Sequence, residues 1–298
     1  MLTAATIIAR ALQIAKAPNY AAQALDTLNA ILSDLCMSHD SALTRRLFSF
    51  TFDPSLASNF GSGPYSLPVD YLRASGSSGE SQRAFFWTLN GVPYPMVPCD
   101  LSDFDMQVQQ AGLQSYPWLW ATDMANSAAI SARYKFATTA ALTLASTSAT
   151  LVDAGDVAAG DGIAGEGIEP GTTISSITGL TATLSAGATA TLSAASVFFG
   201  EPPTAYAYPP PSGAYAVSIR YQALYPPIVN TARYPWFPDD GYLIDELAGR
   251  LMEITDGARA VEFIGDGFQA GRAGRRLSRY LAQADDKKNR PQTVELDR

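Results

Sequence analysis

The feature that most constrains this chain is a long stretch without a cation. Between Lys135 and Arg220 there is neither Lys nor Arg. Within 137–200 almost every residue is Ala, Thr, Ser, Gly, Leu, Val or Ile, and the charges are Asp153, Asp156, Asp161, Glu166 and Glu169. The phrases ALTLASTSATLV, GTTISSITG and TATLSAGATATLSAASVFF alternate apolar and small polar residues with the period of two of a half-buried strand. Their β-branched Thr, Ile and Val favour a pleated surface. Residues 137–200 therefore read as an inserted all-β module, small but large enough to fold alone. The Pro-rich phrase EPPTAYAYPPPSGAY follows, and Pro209–Pro211 is expected to run as extended polyproline.

The flanks have other periods. Ile7, Ile8, Ala11, Leu12 and Ala15 recur at helical spacing, as do Ala21, Ala24, Leu25, Leu28, Ile31, Leu32 and Leu35. Pro18 and Asn19 separate the two, with Asn19 as the expected N-cap. So short a link predicts an antiparallel helix hairpin. LFSFTFDP places Phe48, Phe50 and Phe52 on one face of a strand, and PYSLPVDYLRA, AFFWTLNG and VPYPMVP follow as short extended pieces. SDFDMQVQQAG predicts a short helix capped by Ser102. ISARYKFA enters the module as a strand. AYAVSIRYQAL, with Val217, Ile219 and Tyr221 alternating, leaves it, resumes the first sheet and is expected to pair with ISARYKFA. One helix is expected from about Asp239 and another over 257–284, the latter weakened at Gly265, Gly267, Gly271 and Gly274. The tail 285–298 has few apolar residues and reads as extended and exposed. The fold class is thus α+β. Residues 1–136 plus 201–298 form a helical core with a small antiparallel sheet, and 137–200 form the inserted domain.

Composition narrows the function. With 20 Lys+Arg against 28 Asp+Glu the net charge is −8, a poor balance for gripping nucleic acid. Charged residues make up only 16 % and hydrophobic ones 47 %, which points to surface covered by partners. Cys36 and Cys99 make no disulfide framework or zinc site, and one histidine, His39, excludes His-rich metal centres. No apolar run reaches the roughly 18 residues of a membrane helix, and the N-terminus reads as a mature cytoplasmic start.

Few constellations carry chemistry. Asp153, Asp156 and Asp161 among glycines lack the EF-hand spacing and read as turn acids. Asp239 and Asp240 suit the N-terminus of a helix better than a carboxylate pair for acid–base work. His39 reads as a helix C-terminal residue, Cys36 as a core thiol, and no nucleophile elbow is present. Arg272, Arg275, Arg276 and Arg279 form the strongest basic cluster, read either as a face paired with acids or as a contact for an acidic partner such as a neighbouring copy, with DNA a weaker alternative given the overall acidity. Tyr116, Trp118, Trp120, Tyr234, Trp236 and Phe237 are core lids or interface anchors.

The order of ALDTLNAILSDL, YSLPVDYLRA, SDFDMQVQQAGLQSYPWLWATD, IRYQALYPPI, FPDDGYLIDELAGRLM and a C-terminal helix with a polar tail resembles the head-to-tail adaptor (tail tubular, head-completion) family of short-tailed bacteriophages. The likeness covers 1–136 and 201–298. GIAGEGIEPGTTISSITGLTATLSAGATAT looks like small β modules of phage structural proteins, and its presence departs from shorter adaptors. The resemblance implies a virion neck protein, present in the host cytoplasm during assembly. It implies a dodecameric ring under the portal protein that passes DNA through its lumen without specific binding and receives distal tail nozzle or fibre proteins. It implies no enzymatic activity, cofactor, metal or membrane. The C-terminal extension, with Val294 and Leu296 filling pockets or adding a strand, would reach the portal, and Arg272, Arg275, Arg276 and Arg279 would face the portal or the next subunit. Two other readings are a cell-wall-degrading tail hydrolase using acids such as Asp239 and Glu246, and a receptor-binding tail protein using the β module.

Overall fold

A computed structural model describes residues 1–39, 42–58, 61–75, 84–107, 114–123, 134–266 and 269–284. The chain opens with helices α1 (Ala4–Ala15) and α2 (Ala21–Ser38). Strands β1 (Arg45–Thr51), β2 (Ala57–Ser58), β3 (Gly61–Ser66), β4 (Tyr71–Ala74), β5 (Phe85–Leu89), β6 (Val92–Pro95) and β7 (Val97–Pro98) follow, then helix α3 (Leu101–Gln107) and β8 (Leu119–Thr122). The next six strands are β9 (Tyr134–Leu142), β10 (Ser148–Leu151), β11 (Gly162–Gly165), β12 (Ile174–Thr178), β13 (Thr181–Leu184) and β14 (Leu192–Gly200). After β15 (Thr204–Tyr208) and β16 (Ala216–Ala223) come α4 (Asp240–Thr255), α5 (Gly257–Ile264) and α6 (Arg272–Ala284). The class is α+β. Among the described residues no helix is long and apolar enough to cross a membrane.

The chain forms two compact units, one joining 1–32 to 231–298 and the other holding 33–230. This division falls elsewhere than the composition boundary, which coincides instead with one of three sheets inside the second unit.

In the first unit α1 packs on α4. The first turn of α1 adds to this, since its N–H groups need acceptors. Ala4 N and Ala5 N donate to the carbonyls of Arg233 and Thr231, at 2.9 and 2.8 Å, and Leu2 N donates to Asp240 Oδ2 at 2.9 Å. These bonds tie α1 to the segment that leads into α4. Asn19 lies inside a 3-10 turn, Pro18–Tyr20, and is not a lone cap. Asp239 caps α4 as expected, accepting from Tyr242 N at 3.0 Å. The glycine-weakened helix is in fact two helices. Gly265 takes φ 95°, a conformation that stops α5, and the chain resumes as α6 at Arg272.

In the second unit β16 is the central strand of the first sheet. It pairs antiparallel with β1 on one edge and with β4 and β5 on the other, and β6 closes that side. Val217, Ile219 and Tyr221 on its inner face are fully buried. The second sheet runs β2-β3-β15-β8-β7, all antiparallel except β7 with β8. Its inner residues Tyr65, Trp120, Ala205 and Ala207 share a core with Phe52, Phe85 and Ile219 of the first sheet region, and Phe85 stacks on Trp120 at 4.7 Å. Thus TAYAY, inside the Pro-rich phrase, is an interior strand of a sheet. Helix α3 begins at Leu101, so Ser102 lies within it and does not cap it.

The third sheet, β11-β14-β9-β10-β13-β12, is the expected all-β module. Its stem is not the expected pairing of ISARYKFA with AYAVSIRY. Strand β9 pairs with β14, from Tyr134↔Gly200 to Leu142↔Leu192. Both edges of β16 are already occupied, and the alternation of SVFF carries the module's own partner up to the exit point. Strand β14 is buried on both faces there. Phe199 fills the module's core, while Phe198 packs with Ala164 against Val69 of the β3–β4 connection.

Candidate functional site

The arginine cluster is the sequence feature with most functional content, and the first unit builds it from three helices. In α4, Asp245 shares a helical face with Tyr242, Gly249 and Met252, and all four are buried. Helix α6 lays Arg272 and Arg276, one turn apart, over that carboxylate. Arg276 Nε stands 2.7 Å from Asp245 Oδ2, oriented so that this oxygen has no aligned hydrogen bond. Arg272 Nη2 is 3.8 Å from Oδ1, its Nη1 is 3.7 Å from Glu262 of α5, and its guanidinium lies 4.9 Å from the Phe263 ring centre. The side chain of Asp245 is 5 % exposed, against 43 % for Arg272 and 44 % for Arg276. Gly241 allows this approach, since a Cβ there would collide with Arg276 Nη1. Phe237 packs edge-on against Tyr280 of α6 at 4.9 Å, and burial, with Asp239 nearby, pushes the Tyr280 hydroxyl pKa up.

The four arginines therefore divide. Arg272 and Arg276 serve an internal ion pair. Arg275 only donates to the Ala270 carbonyl at 3.2 Å, and among the described residues neither Arg275 nor Arg279 has an acid within ion-pair reach. Both are exposed and share an outward face of α6 with Ser278 and Ala282. Val294 and Leu296, the other expected partner residues, lie outside the described residues.

A second ionic cluster, absent from the sequence reading, sits in the first sheet. Asp70, 1 % exposed, accepts from Arg46 Nη1 at 2.9 Å and from the Tyr221 hydroxyl at 2.9 Å. It joins the β3–β4 connection to β1 and β16. Burial pushes the Asp70 carboxyl pKa up, against the pull of Arg46 and the Tyr221 hydroxyl. Burial also drives the Tyr221 hydroxyl pKa far up, with Asp70 adding to it. Thr44 and Gln222, both fully buried, hydrogen-bond beside it. The signal available in the sequence was Asp70 itself, an acid inside the otherwise apolar phrase SLPVDYL.

The other residues singled out by sequence have structural partners. Glu246 pairs with Arg250 at 2.9 Å one turn along α4. Asp153 accepts from Gly155 N at 3.0 Å, and Asp161 takes both Ala158 N and Lys135 Nζ at 2.8 Å. Among the described residues no three His, Cys, Asp or Glu converge as metal ligands. Cys36 is a core thiol whose pKa burial pushes up. His39 donates its backbone N–H to Leu35 O, but the last turn of α2 is capped from elsewhere, by Arg73 Nη1 on the Met37 carbonyl at 2.5 Å. Burial, then the charge of Arg73, pulls the His39 pKa down.

No family model matches the chain, and no curated protein matches it. The aromatics divide as the arginines do. Trp120 and Phe237 are buried, while Tyr116, Trp118 and Tyr234 are 54 %, 49 % and 58 % exposed. Tyr116 stacks within 6° of parallel on Trp87, whose other neighbours are Tyr94 and Tyr215. With Val92 and Val97 these rings leave an apolar rim along β6 and β7, where Pro93, Pro95 and Pro98 withhold the N–H groups that an added strand would need.

Proposed function

We propose that this chain is a structural head-to-tail adaptor of a short-tailed phage virion. It would form a dodecameric ring beneath the portal protein, extend the DNA channel and dock distal nozzle or fibre proteins. The observation that carries the reading is that the phrases resembling adaptors at the two ends of the chain coalesce. Residues 1–32 and 231–298 form one helical unit, with α1 on α4, although the whole β region separates them in sequence. A non-enzymatic role is favoured by the carboxylates themselves. Asp239 and Glu246, the acids named for a wall hydrolase, are engaged in a helix cap and an ion pair. An acidic chain also suits a conduit that must let DNA slide.

The protein would then sit in the virion neck, and in the host cytoplasm before assembly. The test is to mix the purified chain with the portal ring encoded alongside it. The full chain should co-sediment with the portal and clear no cell-wall substrate, while a chain lacking 286–298 should lose attachment and keep its thermal stability. Clearing of cell wall that disappears in Glu246→Gln would replace the adaptor reading with the hydrolase. Binding of whole cells by the full chain but not by a chain lacking 137–200 would replace it with the receptor-binding one.

A further inference from the structure

The charge of this protein is segregated. Residues 1–32 with 231–298 hold 13 Lys+Arg and 13 Asp+Glu, whereas 33–230 hold 7 against 15, so the whole −8 resides in the β unit. Within that unit the third sheet contributes one cation, Lys135, which pairs with Asp161. Its Asp153 and Asp156 are exposed on the connection after β10. The helical unit presents the opposite, the α6 face of Arg275, Ser278, Arg279 and Ala282, exposed at 3–4-residue spacing and without an acid among the described residues.

From this complementarity we infer that the outward face of α6 docks on the anionic β module of a second copy of this chain, with Arg275 and Arg279 facing Asp153 and Asp156. Two complementary patches of one molecule can pair reciprocally about a two-fold axis or repeat head to tail, and the head-to-tail arrangement, the one an adaptor needs, closes into a ring when the rotation permits. Closure rests on the adaptor reading, but the contact does not. Duplex DNA, the other polyanion that such a face could meet, is disfavoured because the rest of the chain repels it.

The test is sedimentation equilibrium of the full chain over a concentration series, at low and at high salt. The wild type should associate at low salt and dissociate at high salt. Arg275→Glu with Arg279→Glu, and separately Asp153→Lys with Asp156→Lys, should each weaken association by at least about tenfold, because two attractive surface pairs become repulsive. An equimolar mixture of the two double variants should regain it, since each carries the partner of the other's altered face. A wild type that stays monomeric throughout overturns the proposal, as does a mixture no stickier than its components. Binding of a duplex DNA fragment that is lost in the arginine variant assigns the face to nucleic acid instead. If the arginine variant still forms normal rings on the portal, this contact fails and the adaptor reading stands. If the mixture regains association but the wild type ignores the portal, the contact stands and the adaptor reading fails.

Discussion

Removing either end of the Asp245–Arg276 pair should have unequal effects. In Arg276→Ala the carboxylate stays buried, 5 % exposed, with only Arg272 among the described residues, at 3.8 Å, to compensate it. Breaking a buried pair from one side costs about 3–5 kcal/mol, and the remaining arginine with partial water access should lower this to about 1–3 kcal/mol. In Asp245→Ala the arginines left behind are 43 % and 44 % exposed and regain water, so the loss should resemble that of a surface pair, about 0–1 kcal/mol. Arg275→Ala and Arg279→Ala, which touch no acid among the described residues, should stay within about 0.5 kcal/mol of wild type. The assay is urea unfolding together with hydrogen exchange over 240–255, since a chain of two units need not unfold in one step. Exchange in α4 should accelerate most in Arg276→Ala. If Asp245→Ala is as damaging as Arg276→Ala, or if Arg279→Ala matches both, the division of the arginines into internal and outward pairs is wrong.

Three further outcomes follow from the packing. Because the folded chain holds the Asp70 proton more tightly than the unfolded chain does, the contribution of Asp70 should fall as pH rises from the ordinary aspartate value near 3.9 through its raised one. Asp70→Asn should lack that slope in a pH series of urea midpoints, and parallel wild-type and variant curves would contradict it. A Cβ at Gly249 would stand 2.6 Å from Ile264 Cγ2 and 2.9 Å from Phe263 Cβ, so Gly249→Val should force α4 from α5 and cost about 1–3 kcal/mol in a thermal melt. Replacing 134–200 by a short Gly/Ser linker joins ends that are already paired at Tyr134↔Gly200 and uncovers Val69 and the ring of Phe48, which lies against Gly171, a loss of at most about 1.5–3 kcal/mol for each, and the remainder should keep its circular dichroism. An unfolded remainder would show that the module is not an insertion.

Period and composition made much of the fold legible. The cation-free alternation marked the third sheet, Val217, Ile219 and Tyr221 marked β16, and the glycines marked the break between α5 and α6. What was not legible depended on partners distant in sequence. ISARYKFA has one alternation whichever strand it meets, and only the occupied edges of β16 direct it to β14. The packing of α1 on α4 was not legible either, because the acceptors for the first turn of α1 lie far downstream, at Thr231 and Arg233. The site was half legible. Four arginines at helical spacing stood out, yet their division required Asp245, a polar residue on a buried face of α4. Asp70 escaped for the same reason, because a single acid in an apolar phrase does not reveal that Arg46 and Tyr221 converge on it.

The most direct measurement of the central claim is electron cryomicroscopy of the full chain bound to the portal ring encoded with it. An adaptor should appear as a closed dodecameric ring coaxial with the portal, with an open lumen wide enough for duplex DNA and each α6 against the β module of the next copy. A two-fold dimer, or a portal that stays bare at saturating concentrations of the chain, would contradict it.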